Sequence, residues 1–157
     1  MSRYSIANEQ DTARIAEALA PALRDGLVVG LSGDLGAGKT TFVRYLIAAA
    51  GGDTRAVSSP TYTLQHEYPL PNGLTVEHWD LYRLTSMPME LEESPSPATA
   101  RLIEWPERCP DLLPLLTCHM RFSHVGDEGE GSRRLLEISG DTKRELISRL
   151  ETLEGKA

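Results

Sequence analysis

The segment GDLGAGKT at residues 33–40 constrains this chain more than any other part of its sequence, because it fits the phosphate-loop pattern G-x-x-x-x-G-K-[ST]. Glycines at positions 33, 36 and 38 permit backbone angles that other residues avoid, so successive N–H groups can turn inward around phosphate oxygens. We expect the side chain of Lys39 to reach the β- and γ-phosphates and the hydroxyl of Thr40 to bind a magnesium ion between them. The pattern predicts a nucleoside triphosphate site.

The residues on either side of the loop support this prediction. Residues 27–31 form an apolar run typical of a central strand, and residues 39–50 carry apolar side chains at helical spacing. Gly51 and Gly52 follow that run and are expected to end the helix. A Gly-rich turn that merely leads into a helix is the alternative. The strand before the loop and the helix after it favour the phosphate site, because the helix N-terminus would point at the anion.

Composition indicates one domain spanning residues 1–157, since 157 residues with 40% apolar content can bury a core without disulfides or metals. Cys109 and Cys118 lack C-x-x-C spacing, so we expect two free thiols. The N-terminus has no signal pattern and no apolar run is long enough to cross a membrane, so a soluble cytoplasmic protein is expected. A net charge of −7 with scattered basic residues predicts that the chain does not bind nucleic acid directly.

The remaining segments predict an α/β fold, in which a mixed, mainly parallel central sheet is flanked by helices and carries extra antiparallel hairpins. Asn8 is expected to cap a first helix, and Asp141 or Thr142 to begin a last one. Hairpins are predicted from residues 64–70 with 74–80, and from residues 117–125 with 133–139. Three X-Pro steps indicate an irregular surface loop over residues 85–99, with a short helical turn at 89–93.

Two carboxylates stand at the ends of predicted strands, where phosphoryl chemistry needs acids to hold magnesium and to orient the attacking group. Asp80 ends residues 75–80 and Glu104 ends residues 100–104. Ligands of open α/β sheets bind beyond the carboxyl ends of the strands, so either acid can face the nucleotide if its strand lies beside residues 27–31. The alternative for each is an acid that only hydrogen-bonds a loop.

Four motifs in this order resemble the TsaE family, also known as the YjeE family. They are GDLGAGKTTF at 33–42, SPTYTL at 59–64, HWDLYRL at 78–84 and EWPE at 104–107. The resemblance runs from about residue 27 to residue 107, and the C-terminal third matches in outline. The chain departs from the family pattern at residues 94–97, where SPSP replaces the Leu-Gly step that usually follows the acidic helical segment.

The resemblance implies roles for individual residues. Lys39 would bind phosphate, Thr40 and Glu104 would hold Mg²⁺, and Asp80 would act in hydrolysis. The segment at 59–64, with Thr61, would sense the γ-phosphate as a switch. Trp105 would be an aromatic residue beside the nucleotide, with packing in the core or at its rim as the alternative. Further nucleotide contacts are expected from the following residues: Leu35, Gly36, Ala37, Gly38, Thr41, Glu9 or Asn8 near the adenine, and Arg133 or Arg134 near the phosphates.

The family's function, carried over as an expectation, is ATP hydrolysis in support of threonylcarbamoyladenosine modification of tRNA. The protein would act on the TsaB–TsaD pair and would not touch the modified base itself. Two alternatives stay open. A small P-loop kinase would need an acceptor pocket and commonly an arginine-bearing lid, and no arginine cluster is evident in the middle of the chain. A nucleotide-dependent binding switch would bind ATP and a partner with little turnover.

Overall fold

A computed structural model describes residues 2–34, 36–58, 64–125 and 133–154, and its strands form a single mixed sheet. The strands are β1 Ser2–Ile6, β2 Val28–Ser32, β3 Gln65–Pro69, β4 Thr75–Asp80, β5 Thr99–Glu104, β6 Cys118–His124 and β7 Arg134–Ser139. Across the sheet their order is β1-β7-β6-β2-β5-β4-β3. The predicted α/β class with a mixed sheet is therefore confirmed.

The apolar strand β2 occupies the middle of this sheet. It pairs in parallel with β5 on one side and with β6 on the other, and β4 pairs in parallel with the far edge of β5. Both faces of β2 are covered, and all five of its residues are buried, which explains why its sequence reads as a continuous apolar run. The three parallel pairs align the carboxyl ends of β2, β4, β5 and β6 at one edge of the sheet.

Antiparallel strands close both sides of the parallel centre. The two predicted hairpins are confirmed, since β3 pairs antiparallel with β4 and β6 pairs antiparallel with β7. The predicted turn of the second hairpin falls at residues outside the described ranges. Strand β1 was not predicted from the sequence. It has five residues, and it is held by its antiparallel pairing with β7 at the sheet edge.

Helices cover one face of the sheet. These are α1 Glu9–Leu19, α2 Lys39–Ala49 and α4 Lys143–Glu154, whose apolar sides share one core with the sheet. Asn8 caps α1 as predicted, because its side chain accepts a hydrogen bond of 3.0 Å from the N–H of Asp11. Within the described residues, no helix is long and apolar enough to span a membrane.

The opposite face is covered by short, irregular pieces around a smaller apolar cluster. They comprise the four-residue helix α3 Met89–Glu92 and 3-10 turns at Pro106–Arg108 and Pro110–Leu115. The irregular segment at 85–99, with its short helical turn, is thus confirmed. Arg101 anchors this segment from β5. Its guanidinium donates to the carbonyls of Glu90 and Glu93 at 2.8 and 2.7 Å, and it pairs with Glu77 at 3.0 Å.

The two cysteines are free and buried, as predicted. Cys118 lies in the core beneath the helices, and Cys109 lies in the smaller cluster on the other face. Burial raises the pKa of the Cys118 thiol to about 12, which keeps it protonated and unreactive at neutral pH.

Candidate nucleotide-binding site

A cavity of about 430 Å³ opens at the edge of the sheet where β2, β4 and β5 end. Nine of the predicted site residues line it: Gly36, Ala37, Gly38, Lys39, Thr40, Thr41, Asp80, Glu104 and Trp105. Segments that lie far apart in the sequence therefore meet here, since the motifs at 33–42, 78–84 and 104–107 all contribute side chains. Leu35 and Thr61, which were also predicted to contact nucleotide, are outside the described residues.

The loop between β2 and α2 requires glycine at two positions in particular. Gly33 has a φ of 144°, and a Cβ there would lie 2.4 Å from the backbone oxygen of Phe122. Gly38 caps α2 with a left-handed φ of 104°. A Cβ on Gly38 would lie 2.4 Å from a guanidinium nitrogen of Arg134, so glycine also allows this arginine to approach the loop. The loop is shaped by backbone freedom, as expected for an anion cradle.

Lys39 begins α2 and is buried, with only 6% of its surface exposed. Its ammonium group donates to the carbonyl of Gly33, lies 3.4 Å from the carbonyl of Asp34, and sits 4.0 Å above the ring of Trp105. Burial lowers the pKa of Lys39, and the negative charges nearby, with Glu104 the strongest among them, act in the opposite direction. The two carbonyl contacts are with the loop itself, so a phosphate oxygen can replace a carbonyl as acceptor without moving the lysine out of the cavity.

The two predicted acids lie side by side at the cavity. Asp80 and Glu104 are direct neighbours in the parallel register of β4 and β5, and both are buried. Glu104 also lies opposite Leu31 of β2, so its strand is the one next to the phosphate loop. One oxygen of Asp80 accepts a 2.9 Å hydrogen bond from the N–H of Tyr82, and one oxygen of Glu104 lies 2.6 Å from Nε2 of His78.

The oxygen groups at this end of the cavity suit a magnesium ion. Magnesium prefers hard oxygen ligands, and it commonly binds through one or two carboxylates together with the phosphates of its substrate. Thr40 supplies a hydroxyl and Glu104 a carboxylate, and both line the cavity. The described residues contain no cluster of three or more His, Cys, Asp or Glu that could hold a metal by themselves. The hydroxyl of Thr40 and the carboxylate of Glu104 fit the oxygen ligands that a protein supplies to a magnesium ion shared with phosphates.

Trp105 follows Glu104. Its position is compatible with both predicted roles, an aromatic residue beside the nucleotide and a packing residue at the rim of the core. It is half-buried and packs against the smaller cluster, yet it also lines the cavity beneath Lys39. Its backbone is left-handed, with a φ of 61°, which is uncommon for a large residue. Tyr82 packs against its ring with the centroids 4.8 Å apart. The left-handed turn directs the chain away from β5 immediately after the metal-binding candidate Glu104.

The two arginines that were predicted as alternative phosphate contacts differ in their position relative to the cavity. Arg134, the first residue of β7, lines the cavity, whereas Arg133 is exposed and does not line it. Alternation along an extended segment explains the difference, since neighbouring side chains point to opposite faces. Within the described ranges, Nε of Arg134 is buried and lacks a hydrogen-bond partner. A buried donor that lacks a hydrogen-bond partner is suited to an anionic ligand.

The predicted adenine contacts lie beside the main cavity. Asn8 and Glu9 line a smaller one of about 170 Å³, together with Ile6, Thr12, Thr41 and Arg134. Thr41 and Arg134 border both cavities, which places the start of α1 next to the phosphate loop. The carboxylate of Glu9 accepts a 2.8 Å hydrogen bond from the hydroxyl of Tyr45. Glu9 therefore lies near the phosphate loop. A contact between Glu9 and an adenine stays a prediction.

Several residues at the site received no role from the sequence. Asp34, Tyr82 and Arg83 line the cavity, and His78 contacts Glu104 from below. His78, Tyr82 and Arg83 belong to the HWDLYRL motif, so membership of a motif was the signal available for them. Tyr68, which hydrogen-bonds His78, belongs to none of the four motifs. Its place depends on the pairing of β3 with β4.

Comparisons with known proteins agree on one family. A family model described as "Threonylcarbamoyl adenosine biosynthesis protein TsaE" matches residues 6–135. The chain is 35% identical over 144 residues to the tRNA threonylcarbamoyladenosine biosynthesis protein TsaE of Rickettsia bellii, which covers 89% of this chain and 96% of the relative. The corresponding protein of Bacillus subtilis is 34% identical over 128 residues, or 80% of each chain.

A solved structure gives the same result for the fold. The crystal structure of YdiB from Bacillus subtilis superimposes with a TM-score of 0.69 at 25% identity. The match covers 98% of this chain and 95% of that one. The likeness therefore extends over the whole sheet and is not confined to the phosphate loop.

Proposed function

This chain belongs to the TsaE family, and from that membership we propose that it binds and hydrolyses ATP with Mg²⁺ in support of tRNA threonylcarbamoyladenosine biosynthesis. In this proposal the protein works on the TsaB–TsaD pair, and its output is a change of conformation or affinity. The observation that carries the proposal is the meeting of Lys39 and Thr40 with Asp80 and Glu104 in one cavity.

Each of these groups has a task in the proposed reaction. The loop amides and the ammonium of Lys39 bind the phosphate oxygens, and the N-terminus of α2 adds its dipole. Thr40 and Glu104 would hold the magnesium ion, which neutralises negative charge on the transferred phosphoryl group. Asp80 accepts a hydrogen bond from the attacking water and orients it. Water positioning of this kind is a recurring requirement of P-loop hydrolysis.

The charge of the chain supports an indirect role in tRNA modification. A net charge of −7 opposes binding to a polyanion, so recognition of tRNA is assigned in this proposal to the partner proteins. The cations at the cavity, Lys39, Arg83 and Arg134, lie where a nucleotide would need them.

The test is to measure phosphate release from ATP by the purified chain, alone and with the TsaB–TsaD pair, in MgCl₂ and in EDTA. Calorimetric titration with ATP and ADP under the same conditions measures binding separately. We expect binding by the chain alone, metal-dependent release of phosphate, and faster release with the pair. Lys39→Ala and Asp80→Asn are the variants that link any turnover to this cavity.

The possible failures of this test identify the alternatives. Tight binding with no turnover in any mixture would favour a nucleotide-dependent switch. Transfer of labelled γ-phosphate to an acceptor other than water would favour a kinase. Absence of nucleotide binding, in a protein that is folded by circular dichroism, would contradict the proposed site altogether.

A further inference from the structure

A continuous row of buried polar side chains lies behind Glu104. The row crosses three strands, from Tyr68 on β3 to His78 on β4 to Glu104 on β5. The hydroxyl of Tyr68 is 2.9 Å from Nδ1 of His78, and Nε2 of His78 is 2.6 Å from Oε2 of Glu104. All three side chains are almost fully enclosed, with 2%, 0% and 3% of their surface exposed. The proposed roles of Lys39, Thr40 and Asp80 make no use of Tyr68 or His78.

The chemistry of the partners fixes the direction of these hydrogen bonds. An ionised carboxylate can only accept, so Nε2 of His78 carries the hydrogen and donates it to Glu104. When the imidazole is neutral, Nδ1 is an acceptor, and the hydroxyl of Tyr68 donates to it. A second histidine, His66, is 3.5 Å from the same hydroxyl, a distance too long to compete. The hydrogen bonds therefore all run toward Glu104.

The phenol of Tyr68 is suited to remain a donor. Burial, opposed by a hydrogen bond from the backbone of Ser58 and assisted by the charge of Glu104, raises its pKa to about 12. The protonated hydroxyl lies 2.9 Å from Nδ1 of His78, where it can donate its hydrogen. The imidazole is thus held from behind and cannot rotate away from Glu104 without breaking a buried hydrogen bond.

The other end of the row reaches the cavity. Glu104 lines it, and among the acids near Lys39 its charge acts on that ammonium most strongly. One carboxylate oxygen is engaged by His78, so the other is the oxygen that can face a ligand. A carboxylate that is hydrogen-bonded through one oxygen has a fixed plane, and metal-binding carboxylates are commonly oriented by partners of this kind.

We propose that His78, supported by Tyr68, is a positioning residue that orients the carboxylate of Glu104 toward the magnesium ion of the bound nucleotide. This inference depends on the proposed function, because it presumes that Glu104 is a metal ligand. It adds two residues to the site, and it assigns them an effect on metal affinity rather than on nucleotide affinity.

The experiment compares His78→Gln with His78→Asn. A glutamine amide nitrogen reaches about as far as Nε2 and can still donate to Glu104, whereas an asparagine amide reaches only the position of Nδ1. ADP is titrated calorimetrically at a series of MgCl₂ concentrations and in EDTA. We expect His78→Asn to need about 10- to 100-fold more magnesium for half of the metal-dependent gain in affinity, as is usual for loss of a group that supports a metal ligand. We expect His78→Gln to be nearly normal, and ADP affinity in EDTA to be unchanged in both.

Two further variants distinguish failure of this inference from failure of the proposed function. Glu104→Gln is the reference for loss of the ligand itself. If Glu104→Gln shifts the magnesium requirement and His78→Asn does not, the positioning role is wrong and the metal role of Glu104 stands. If neither shifts it, Glu104 is not a magnesium ligand and the premise is wrong.

Tyr68→Phe removes only the hydroxyl that holds His78, and a smaller shift in the same direction is expected from it. Thermal melting of every variant is measured alongside. A purely structural role would lower the melting temperature of His78→Gln and His78→Asn together without separating their magnesium requirements, and that result would overturn the proposal. Should His78→Asn fail to fold, the comparison of Tyr68→Phe with the wild type decides, since an unchanged magnesium requirement in Tyr68→Phe would also overturn it.

Discussion

The cavity has two walls that are built in different ways. The loop wall comprises the described residues of the segment 33–41, which line the cavity with glycine-rich backbone and with the side chains of Lys39, Thr40 and Thr41. The carboxylate wall comprises Asp80 and Glu104 with His78 and Tyr68 behind them, and it is assembled from β3, β4 and β5. One wall is a continuous piece of chain, and the other exists only when three strands are paired in register.

This difference predicts how the walls respond to substitution. Apart from Ala37, which belongs to the hydrophobic core, side chains of the loop wall line the cavity, so their removal should affect ligand binding and leave the fold intact. Side chains of the carboxylate wall are buried, and Tyr68, His78 and Glu104 are hydrogen-bonded in a row, so their removal should affect both ligand binding and the stability of the fold. Measuring binding and stability on the same variants tests whether the walls are separable in this way.

The largest effect is expected from Lys39→Ala on the loop wall. It removes the ammonium that now contacts the Gly33 carbonyl and the Trp105 ring, and with it a charged donor to phosphate. Loss of one such donor at a reacting group typically costs about 100- to 1000-fold in turnover. Phosphate release measured with the partner proteins present should fall by that order. The melting temperature should hold, because a buried charge that is costly to desolvate is lost.

Arg55→Ala is a suitable control for Lys39→Ala. Arg55 is also a cation, but it is exposed, it pairs with Asp53 at 2.9 Å, and it does not line the cavity. Its removal should leave turnover unchanged. Wild-type turnover in Lys39→Ala would show that the phosphate-binding role of Lys39 is wrong, and a large drop in melting temperature would show that the loop wall is not separable from the core.

The next largest effects are expected at the two acids of the carboxylate wall, and they should differ between turnover and metal binding. Asp80→Asn should lower turnover by about 100-fold while ATP affinity changes little, because an uncharged amide oxygen accepts a hydrogen bond from the attacking water more weakly than a carboxylate does. Glu104→Gln should chiefly raise the magnesium concentration needed for tight nucleotide binding, because an amide oxygen carries no charge for the metal. Titration of both variants with ATP over a magnesium series measures the two effects. The same metal dependence in both would contradict the division of roles.

The contrast between the walls also explains what the sequence could predict. The phosphate loop, its strand and its helix are contiguous, so spacing and glycine content were sufficient to predict them. The hairpin pairings and the Asn8 cap were likewise local, and they are confirmed. Whether Asp80 and Glu104 reach the nucleotide depended on strand order, which no local pattern contains. The register that makes them neighbours became visible only in the fold.

Features that depend on distant contacts were missed for the same reason. Strand β1 has a weak pattern of its own and is defined by its pairing with β7 at the opposite end of the chain. Tyr68 and His78 meet Glu104 across three strands. Arg134 could not be separated from Arg133, because the alternation of side chains decides between them only once the strand is known to start at position 134.

These two arginines provide the third prediction. Arg134→Ala should weaken ATP binding by about 10-fold, since it removes a charged donor whose hydrogen bonds to an anion contribute on the order of 1.5 kcal/mol. Arg133→Ala should change the affinity by less than about 2-fold, in the range of an exposed charge. Both variants lose one positive charge, so net charge cannot explain a difference between them. Equal losses of affinity would indicate a general electrostatic effect rather than a contact from Arg134.

The smallest effect concerns the strand that leads into the loop wall. Ser32, the last residue of β2, donates to Glu107 at 2.7 Å and lies 2.7 Å from Nε2 of His119. Burial, assisted by the positive charge of Arg121 and opposed by Glu107, lowers the pKa of His119. The unfolded chain therefore binds the proton more readily, and stability should fall as the pH drops from about 6.5, the unperturbed value, toward the lower folded pKa.

His119→Gln should flatten this part of the melting-temperature profile, whereas His124→Gln, which removes an exposed histidine of the same strand, should not. A profile that keeps its slope in His119→Gln would show that protonation of His119 does not control stability at the end of β2.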